Sequence, residues 1–263
     1  MIHDHLIRSD WHDHDWQLIH APAQSPNLHM ALDEVLTDDV SAGKRAATLR
    51  IWEWASPAVV IGRFQSLCNE VDAEAAQRHG IEVVRRISGG GAMFIEPGNT
   101  ITYSIYAPLS MVAGMSFQEA YEHMDAWVIR ALGEMGIKAW YQPLNDITSA
   151  SGKIAGAAQA RRGKAVLHHV TMAYDIDAAK MLEVLRIGRE KLSYKGTTSA
   201  QKRVDPLRSQ TGLSRAQVIA NLVGMFRRQY GLVDDALRPD ELERARALAL
   251  SKFATPDWIG VVA

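Results

Sequence analysis

The chain has 263 residues, 47% hydrophobic and 22% charged, with 29 Lys plus Arg against 30 Asp plus Glu for a net charge of -1. That composition excludes a disordered, collagen-like or coiled-coil chain, and a chain of this length buries roughly three quarters of its unfolded surface without covalent staples. The balanced charge argues against nucleic-acid binding, no run of about 18 apolar residues predicts a membrane span, and a single cysteine, Cys68, excludes internal disulfides and multi-cysteine zinc sites. The N-terminal MIHDHLIRSDWHDHDW lacks the apolar core of an export signal, so a reducing, cytoplasmic setting is expected.

Residues 17–21 read as a strand. Residues 27–35 carry Leu28, Met30, Ala31, Leu32 and Val35 beside Asp33 and Glu34, a helical mixture. Residues 49–54 and 58–64 are strand-like, with Ser56-Pro57 as the turn between them. A short helix over 71–79 ends at Gly80, and 81–86 is a strand. Ser88-Gly89-Gly90-Gly91 is a loop, 92–94 an extended piece, Pro97-Gly98-Asn99 a turn and 100–106 a strand. The longest predicted helix is 117–135, with apolar residues from Ala120 to Met135 at helical spacing and Gly136 at its end. Extended pieces follow at 138–141, 153–161 and 165–174, the last two joined by a turn at Arg162-Gly163. Residues 177–185 are helical and 186–210 irregular. A helix over 214–230 opens on the N-cap Ser214, and another over 239–250 opens on Pro239. With no regular βαβ alternation, the expected class is α+β with mixed and antiparallel strands flanked by helices, and the length allows one large domain or two small ones.

Four local features carry chemistry. In Arg85-Arg86-Ile87-Ser88-Gly89-Gly90-Gly91-Ala92, successive glycines leave main-chain N–H groups unshielded, so the loop suits an anion; the plain alternative is a flexible hairpin loop. It is neither a Walker A loop nor a dinucleotide fingerprint, and on a strand only one of the two arginines faces the ligand. In Gly152-Lys153-Ile154-Ala155-Gly156-Ala157-Ala158-Gln159 a lysine stands in a strand of small residues, on which a ligand can lie against the backbone. Simple alternation puts Lys153, Ala155, Ala157 and Gln159 on one face; the alternative is a surface lysine on an edge strand. Asn145-Asp146 suits a Mg²⁺ or purine contact, or ordinary turn chemistry. His168 and His169, adjacent on a strand, point to opposite faces and do not share a metal.

In order along the chain, VVIGRFQ (59–65), RRISGGGAMF (85–94), PGNT (97–100), ND (145–146), GKIAGAAQ (152–159), LHHVTM (167–172) and KGTTSAQKRV (195–204) resemble the motifs of the lipoate-protein ligase A family. KFATPDW (252–258) is similar to the ending of that family's large domain, Trp258 included. The resemblance implies a single catalytic domain over 1–263 of the biotin/lipoate ligase fold, akin to class II aminoacyl-tRNA synthetases, with the family's accessory C-terminal domain absent. It implies that lipoate and ATP give lipoyl-AMP, whose lipoyl group passes to a lysine of an acceptor. Lipoyl domains, the glycine-cleavage H protein and a lipoate-binding protein are the candidate acceptors. It implies Lys153 as the catalytic residue, touching both lipoyl carbonyl and phosphate. Arg86 contacts the nucleotide, and Gly89, Gly90, Gly91, Ala92, Met93 and Phe94 cradle the adenylate. Asn99, Asn145, Asp146 and Thr171 stand beside it, Gly90 and His169 join Lys153 on lipoate, and Asp146 is the Mg²⁺ ligand. A separate small accessory subunit is expected as a partner.

Two other readings stand beside this one: an octanoyl- or lipoyl-transferase that works without ATP through a cysteine, and a non-catalytic adenylate-binding subunit. Cys68, after the VVIG strand, does not match the transferase position near Asn145-Asp146. For the dithiolane tail, Trp52 or Trp54, Val60 and Phe94 are tunnel candidates, with plain core as the preferred reading. His3, His5, His12 and His14 among Asp4, Asp10, Asp13 and Asp15 are read as a mobile terminus with at most adventitious metal affinity. The basic residues of 186–210 (Arg186, Arg189, Lys191, Lys195, Lys202, Arg203 and Arg208) read as a loop closing over the site or as solvated surface.

Overall fold

The computed structural model of the chain describes residues 8–186 and 204–262. Its first half runs β1 (Gln17–His20), α1 (Pro26–Ser41), β2 (Thr48–Trp52), β3 (Ala58–Ile61), α2 (Leu67–Glu70), α3 (Ala73–Arg78), β4 (Glu82–Arg85), β5 (Met93–Ile95), β6 (Thr100–Pro108) and α4 (Phe117–Glu134). The second half runs β7 (Ala139–Gln142), β8 (Asp146–Ser149), β9 (Gly152–Arg162), β10 (Ala165–Ala173), α5 (Ala178–Val184), α6 (Leu207–Thr211), α7 (Arg215–Tyr230), β11 (Val233–Asp235), α8 (Pro239–Leu248) and α9 (Pro256–Ile259). Eight strands form one sheet in the order β11-β1-β2-β6-β10-β9-β8-β7, and three form a second, β4-β3-β5. Pairing is parallel at β1–β11, β1–β2 and β3–β4 and antiparallel elsewhere, the mixed α+β arrangement expected. Among the described residues no helix is long and apolar enough to cross a membrane.

Strand alternation sorts the large sheet into two faces. Along β6, Ile101, Tyr103, Ile105 and Ala107 enter a core with Trp127 and Val128 of α4 and Phe226 of α7. Thr102, Ser104 and Tyr106, at the intervening positions, face the other way, and Ser104 and Tyr106 meet Asp33 of α1. Helix α1 packs Leu36 and Val40 against Tyr106 and Leu167, and Leu28, Leu32 and Val35 against Val60, Val84 and Ile95 of the small sheet. It is buried nearly all round, which is why its polar residues need partners inside the protein. The small sheet is closed on its far side by Val71, Ala75, Ala76 and Val184.

Several expectations are corrected. Helix α1 continues six residues beyond 35 because Leu36 and Val40 keep the apolar spacing and are buried. Asp146 opens a strand instead of sitting in a turn, and β9 lies inside the sheet between β8 and β10, so Lys153 is not on an edge. The N-terminal His/Asp segment is docked where it is described: Trp11 is 5% exposed, stacked on Trp16 and Tyr230. Asp10 caps its own turn, and His14 bonds Ser9. His3, Asp4 and His5 lie outside the described residues, as do KGTTSAQKRV up to Arg203 and, with it, Arg189, Lys191, Lys195 and Lys202. The described end of the 186–210 stretch contains a helical turn, α6.

Arg45, 3% exposed, ties the entry of β2 to the C-terminal helix α8. Its Nε and Nη2 donate to the two carboxylate oxygens of Glu241 at 2.6 and 2.7 Å, and Nη1 reaches Asp235 at 2.9 Å. Glu241 is fully buried. Breaking a buried pair from one side strands the other charge, at a cost of about 3–5 kcal/mol. Arg45→Met is therefore expected to lower unfolding free energy by that amount in urea titration; a loss below about 1 kcal/mol would mean that Glu241 is solvated some other way.

Candidate active site

The seam between the two sheets gathers most of the residues singled out in the sequence. Arg85 and Arg86, at the end of β4, diverge as alternation requires. Arg85 donates to the carbonyls of Gly62, Gln65 and Ile259, and so pins the 62–65 loop and the C-terminal helix α9, whose Trp258 indole returns a bond to the Arg85 carbonyl. Arg86, 2% exposed, turns into the glycine loop. Its Nη2 donates to Gly89 O at 2.6 Å and Gly91 O at 2.9 Å, Nη1 to Val60 O at 3.2 Å, and Nε to Ser88 Oγ at 3.0 Å. No carboxylate lies within ion-pair distance of it among the described residues. Burial lowers its pKa to about 10, still charged at neutral pH.

A cation held by carbonyls orients the loop. With the carbonyls of Gly89 and Gly91 drawn inward, the N–H groups of Gly89 to Ala92 find no acceptor among the described residues, and Gly90 and Gly91 are exposed. The result is a row of unpaired main-chain donors, the kind of arrangement that binds phosphate oxygens. Two glycines permit it. Gly90 has φ of +90°, and a Cβ there would stand 2.9 Å from Arg86 Nη2. A Cβ on Gly62 would stand 2.2 Å from Gly90 O. Gly62, part of VVIGRFQ, was absent from the expected site; its signal was a glycine closing an apolar strand.

Opposite the loop lies β9. A bulge at Ile154 breaks its alternation: Ile147 pairs with Ala155 and Thr148 with Lys153, leaving Ile154 extra. Ile154, Ala155 and Ala157 therefore enter the α4-side core, and Gln159 meets His168 there. The expected face of Lys153, Ala155, Ala157 and Gln159 is replaced by Lys153, Gly156 and Ala158. A Cβ on Gly156 would meet Lys153 Nζ at 3.2 Å, and Ala158 Cβ lies 3.7 Å from a Cβ built on Gly90. Lys153 Nζ is 2.7 Å from Asp146 Oδ1; the lysine side chain is one third exposed and the aspartate 7%. The cross-strand row Asp146, Gly156, Thr171, Thr102 forms the floor. Asn145 completes the junction, its amide donating to Ala157 O and lying 3.8 Å from the same Gly90 Cβ position.

Lys153, Asp146, Asn145, Gly90, Arg86 and Thr171 thus converge. Met93 is half-buried at the start of β5, and Phe94 is 3% exposed in the small sheet's core. Asn99 is occupied elsewhere: its amide donates to Glu96 and its carbonyl accepts from Tyr174 and Asp175. Trp52, Trp54, Val60 and Phe94 are all core residues, as preferred. Among the described residues no three His, Cys, Asp or Glu side chains cluster as a metal site. Cys68 is exposed on α2, bonded to Ser66 and Asn69, and lines a cavity of about 490 Å³ with Val71, Ala76 and Ile81 on the outer side of the small sheet.

Behind the loop is a buried polar network that the sequence reading missed. His169, expected on lipoate, instead donates from Nδ1 to Asp33 Oδ2 at 2.8 Å and accepts at Nε2 from Ser88 Oγ at 2.6 Å, so both ring nitrogens are used inside the protein and neither is offered to a ligand. Asp33 Oδ1 accepts from Ser104 and Tyr106 and lies 3.7 Å from Arg50 Nη1. Arg50 donates to His29 Nδ1 and lies over Trp52; His29 Nε2 donates to Glu53 O and the ring stacks on Trp52 at 4.6 Å. His168 faces the opposite side, 2.8 Å from Asp125. The available signals were the i, i+4 pair His29 and Asp33 and the polar alternation Thr102, Ser104, Tyr106.

Burial lowers the pKa of both histidines, reinforced by Arg50 at His29, while Asp33 partly offsets it at His169. Below pH 6.5 the unfolded chain binds protons that the folded chain refuses, so stability is complete above that pH and falls as pH drops. Each fully neutral buried histidine contributes a slope of about 1.4 kcal/mol per pH unit. Urea unfolding at pH 7.5, 6.5 and 5.5 is expected to show this loss between the last two, and equal stability there would contradict it. A second expectation concerns Gly62: Gly62→Ala should displace the glycine loop and speed hydrogen exchange of peptides covering 86–94 at least tenfold, with the melting temperature changed by only a few degrees; unaltered exchange would mean that the loop yields freely.

The sequence model of the lipoyl protein ligase A/B catalytic domain matches residues 25–227. A probable lipoate-protein ligase A of Mycoplasma pneumoniae is 28% identical over 242 residues, 92% of this chain and 70% of that protein. An octanoyltransferase LipM of Moorella thermoacetica is 26% identical over 275 residues, covering 93% of this chain and 97% of that one. Among solved structures, one from a structural analysis of an archaeal lipoylation system, of a bi-partite lipoate protein ligase and its E2 lipoyl domain from Thermoplasma acidophilum, superposes with a TM-score of 0.80 at 27% identity. It covers 94% of this chain and 96% of that one. The chain belongs to the lipoyl protein ligase A/B catalytic-domain family.

Proposed function

We propose that this member of the lipoyl protein ligase A/B family is an ATP-dependent lipoate-protein ligase. The observation that carries the reading is the pairing of one amine, Lys153, with a row of main-chain donors on the facing loop. A carboxylate and ATP repel each other, so attack on the α-phosphorus needs positive charge between them. The carboxylate oxygen bonds to the α-phosphorus, pyrophosphate leaves with the electron pair of the broken P–O bond, and lipoyl-AMP remains. In this reading Lys153 touches both the acyl carbonyl and the phosphate, and the N–H groups of Gly90 to Ala92 take the phosphate oxygens. In the second step the acceptor lysine amine attacks the acyl carbon and AMP leaves. Holding both reactants in line contributes about 7–11 kcal/mol.

Asp146 suits Mg²⁺, an ion that takes one or two protein carboxylates and completes its shell with substrate phosphates and water. When bound, it would neutralise phosphate charge; Asp146 would hold it beside Lys153.

A transferase reading is favoured by one finding, the Moorella LipM relative's match over 93% of this chain and 97% of its own. Against it stands cysteine placement: Cys68 is the chain's only cysteine, and its thiol hydrogen-bonds Ser66 and Asn69 on the outer side of the small sheet. An acceptor of the lipoyl-domain kind is supported by the Thermoplasma lipoylation system, in which a lipoate protein ligase is described together with its E2 lipoyl domain; the glycine-cleavage H protein or a lipoate-binding protein would serve the same chemistry. That ligase is bi-partite, and by likeness a separate subunit is proposed here too; a reducing, cytoplasmic setting is proposed on the lone free cysteine.

With lipoate and ATP the chain is expected to release pyrophosphate and to acylate a lipoyl domain, read by mass spectrometry. Lys153→Ala should lose roughly 10²–10³-fold in ATP–pyrophosphate exchange while keeping its circular dichroism and melting temperature. Acylation from an octanoyl carrier protein without ATP, with no exchange, would replace this reading by the transferase one.

A further inference from the structure

Three residues behind the glycine loop have no part in the chemistry above: Asp33 on α1, His169 on β10 and Ser88 at the start of the loop. They are 1%, 4% and 1% exposed. Their bonds run in one direction, Arg86 Nε–H to Ser88 Oγ at 3.0 Å, Ser88 O–H to His169 Nε2 at 2.6 Å, and His169 Nδ1–H to Asp33 Oδ2 at 2.8 Å. Every donor has an acceptor only if His169 is neutral with its proton on Nδ1. The spacing is that of a Ser-His-Asp triad, which raises the question of whether Ser88 is a nucleophile. Its surroundings answer it. A nucleophilic oxygen needs an open lone pair and about 3 Å of approach for a carbonyl carbon. Ser88 Oγ is enclosed and accepts a bond from a guanidinium.

We propose that Asp33, His169 and Ser88 are positioning residues, a relay that anchors Arg86 and so holds the donor row of the glycine loop opposite Lys153. The inference rests on the ligase reading only for its kinetic arm. Asp33 is itself fixed at Oδ1 by Ser104, Tyr106 and Arg50, so the relay fastens the loop to the large sheet and α1 together. Ser88 O also accepts from Arg63 N at 2.8 Å, binding the 62–65 turn to the same point. Arg86 then carries the anchorage on to Gly89 and Gly91. Should His169 take a second proton, Nε2 becomes a donor and Ser88 Oγ faces two donors with its own hydrogen unplaced, and the anchor fails. The charged and titratable groups acting on His169 are Asp33 from α1, Arg86 just after β4 and His168 on its own strand; Tyr106 from β6 and Arg50 from β2 reach it through Asp33, His29 from α1 through Arg50, and Tyr121 from α4 through Arg86. Desolvation dominates among them and keeps the ring neutral to below pH 6.5.

Two variants cut the relay at different bonds. Ser88→Ala removes both hydroxyl bonds. His169→Asn keeps an amide for Asp33 and cannot reach Ser88. The first measurement is hydrogen exchange of peptides covering 86–94, which needs no substrate; exchange at least tenfold faster in either variant is expected, with α4 unchanged. The second is ATP–pyrophosphate exchange with lipoate across pH 5 to 8. Each variant is expected to lose at least tenfold in kcat with KM for lipoate unchanged, and the acid limb of the wild-type profile should flatten. The double variant should be no worse than the singles, because the relay acts as a unit. Unchanged loop exchange, multiplicative kinetic losses, or an acyl ester found on Ser88 by intact mass after incubation with an octanoyl thioester would each overturn the proposal. Absence of pyrophosphate exchange in the wild type would defeat the ligase reading alone, since loop exchange still reports on the relay.

Discussion

A guanidinium buried without a carboxylate must be solvated by something. Around Arg86 the chain uses its own carbonyls, those of Val60, Gly89 and Gly91. Taking charge out of water is costly unless hydrogen bonds replace the lost hydration. That requirement fixes the shape of the glycine loop more firmly than its composition would suggest. Once the carbonyls turn inward, the N–H groups turn outward, and a positive charge sits directly behind them. An anion placed on the loop meets oriented dipoles backed by a cation, while the missing side chains at Gly62 and Gly90 leave room for the backbone to close.

The large sheet supplies the other wall. A single extra residue at Ile154 rotates Lys153 onto the face of Gly156 and Ala158, and Asp146 from the neighbouring strand holds the amine in place. The two walls belong to different sheets, so their spacing depends on what joins those sheets. Helix α1 does so by packing, and Asp33, His169 and Ser88 do so by hydrogen bonds. Preorganised donors stabilise charge because they need not move when it develops, which gives a buried, fully paired network behind a flexible-looking loop a physical purpose.

Much of this was legible in the residues because its signals are local. Successive glycines after an arginine pair, a lysine in a run of small residues, and Asn145-Asp146 just ahead of it mark the site without any knowledge of the fold. The opposed destinations of Arg85 and Arg86, and of His168 and His169, follow from strand alternation alone. What was not legible depends on pairing. A bulge shows only when the partner strand is known, so simple alternation put Ala155 and Ala157 beside Lys153 when they belong to the core behind it. Asp33 and Arg50 looked like the polar positions of ordinary elements, since nothing local says that their side chains meet inside the protein. Trp11 carries the N-terminal segment into the core through contacts with Trp16 and Tyr230, more than two hundred residues of chain separating it from the latter.

The central claim is that one lysine and one row of backbone donors grip the same phosphate. The most direct measurement is a crystal structure with a non-hydrolysable lipoyl-adenylate analogue. The phosphate oxygens should lie about 3 Å from Lys153 Nζ and from N–H groups between Gly90 and Ala92. A phosphate bound elsewhere, or a Lys153 amine still paired only with Asp146 and turned from the ligand, would contradict it.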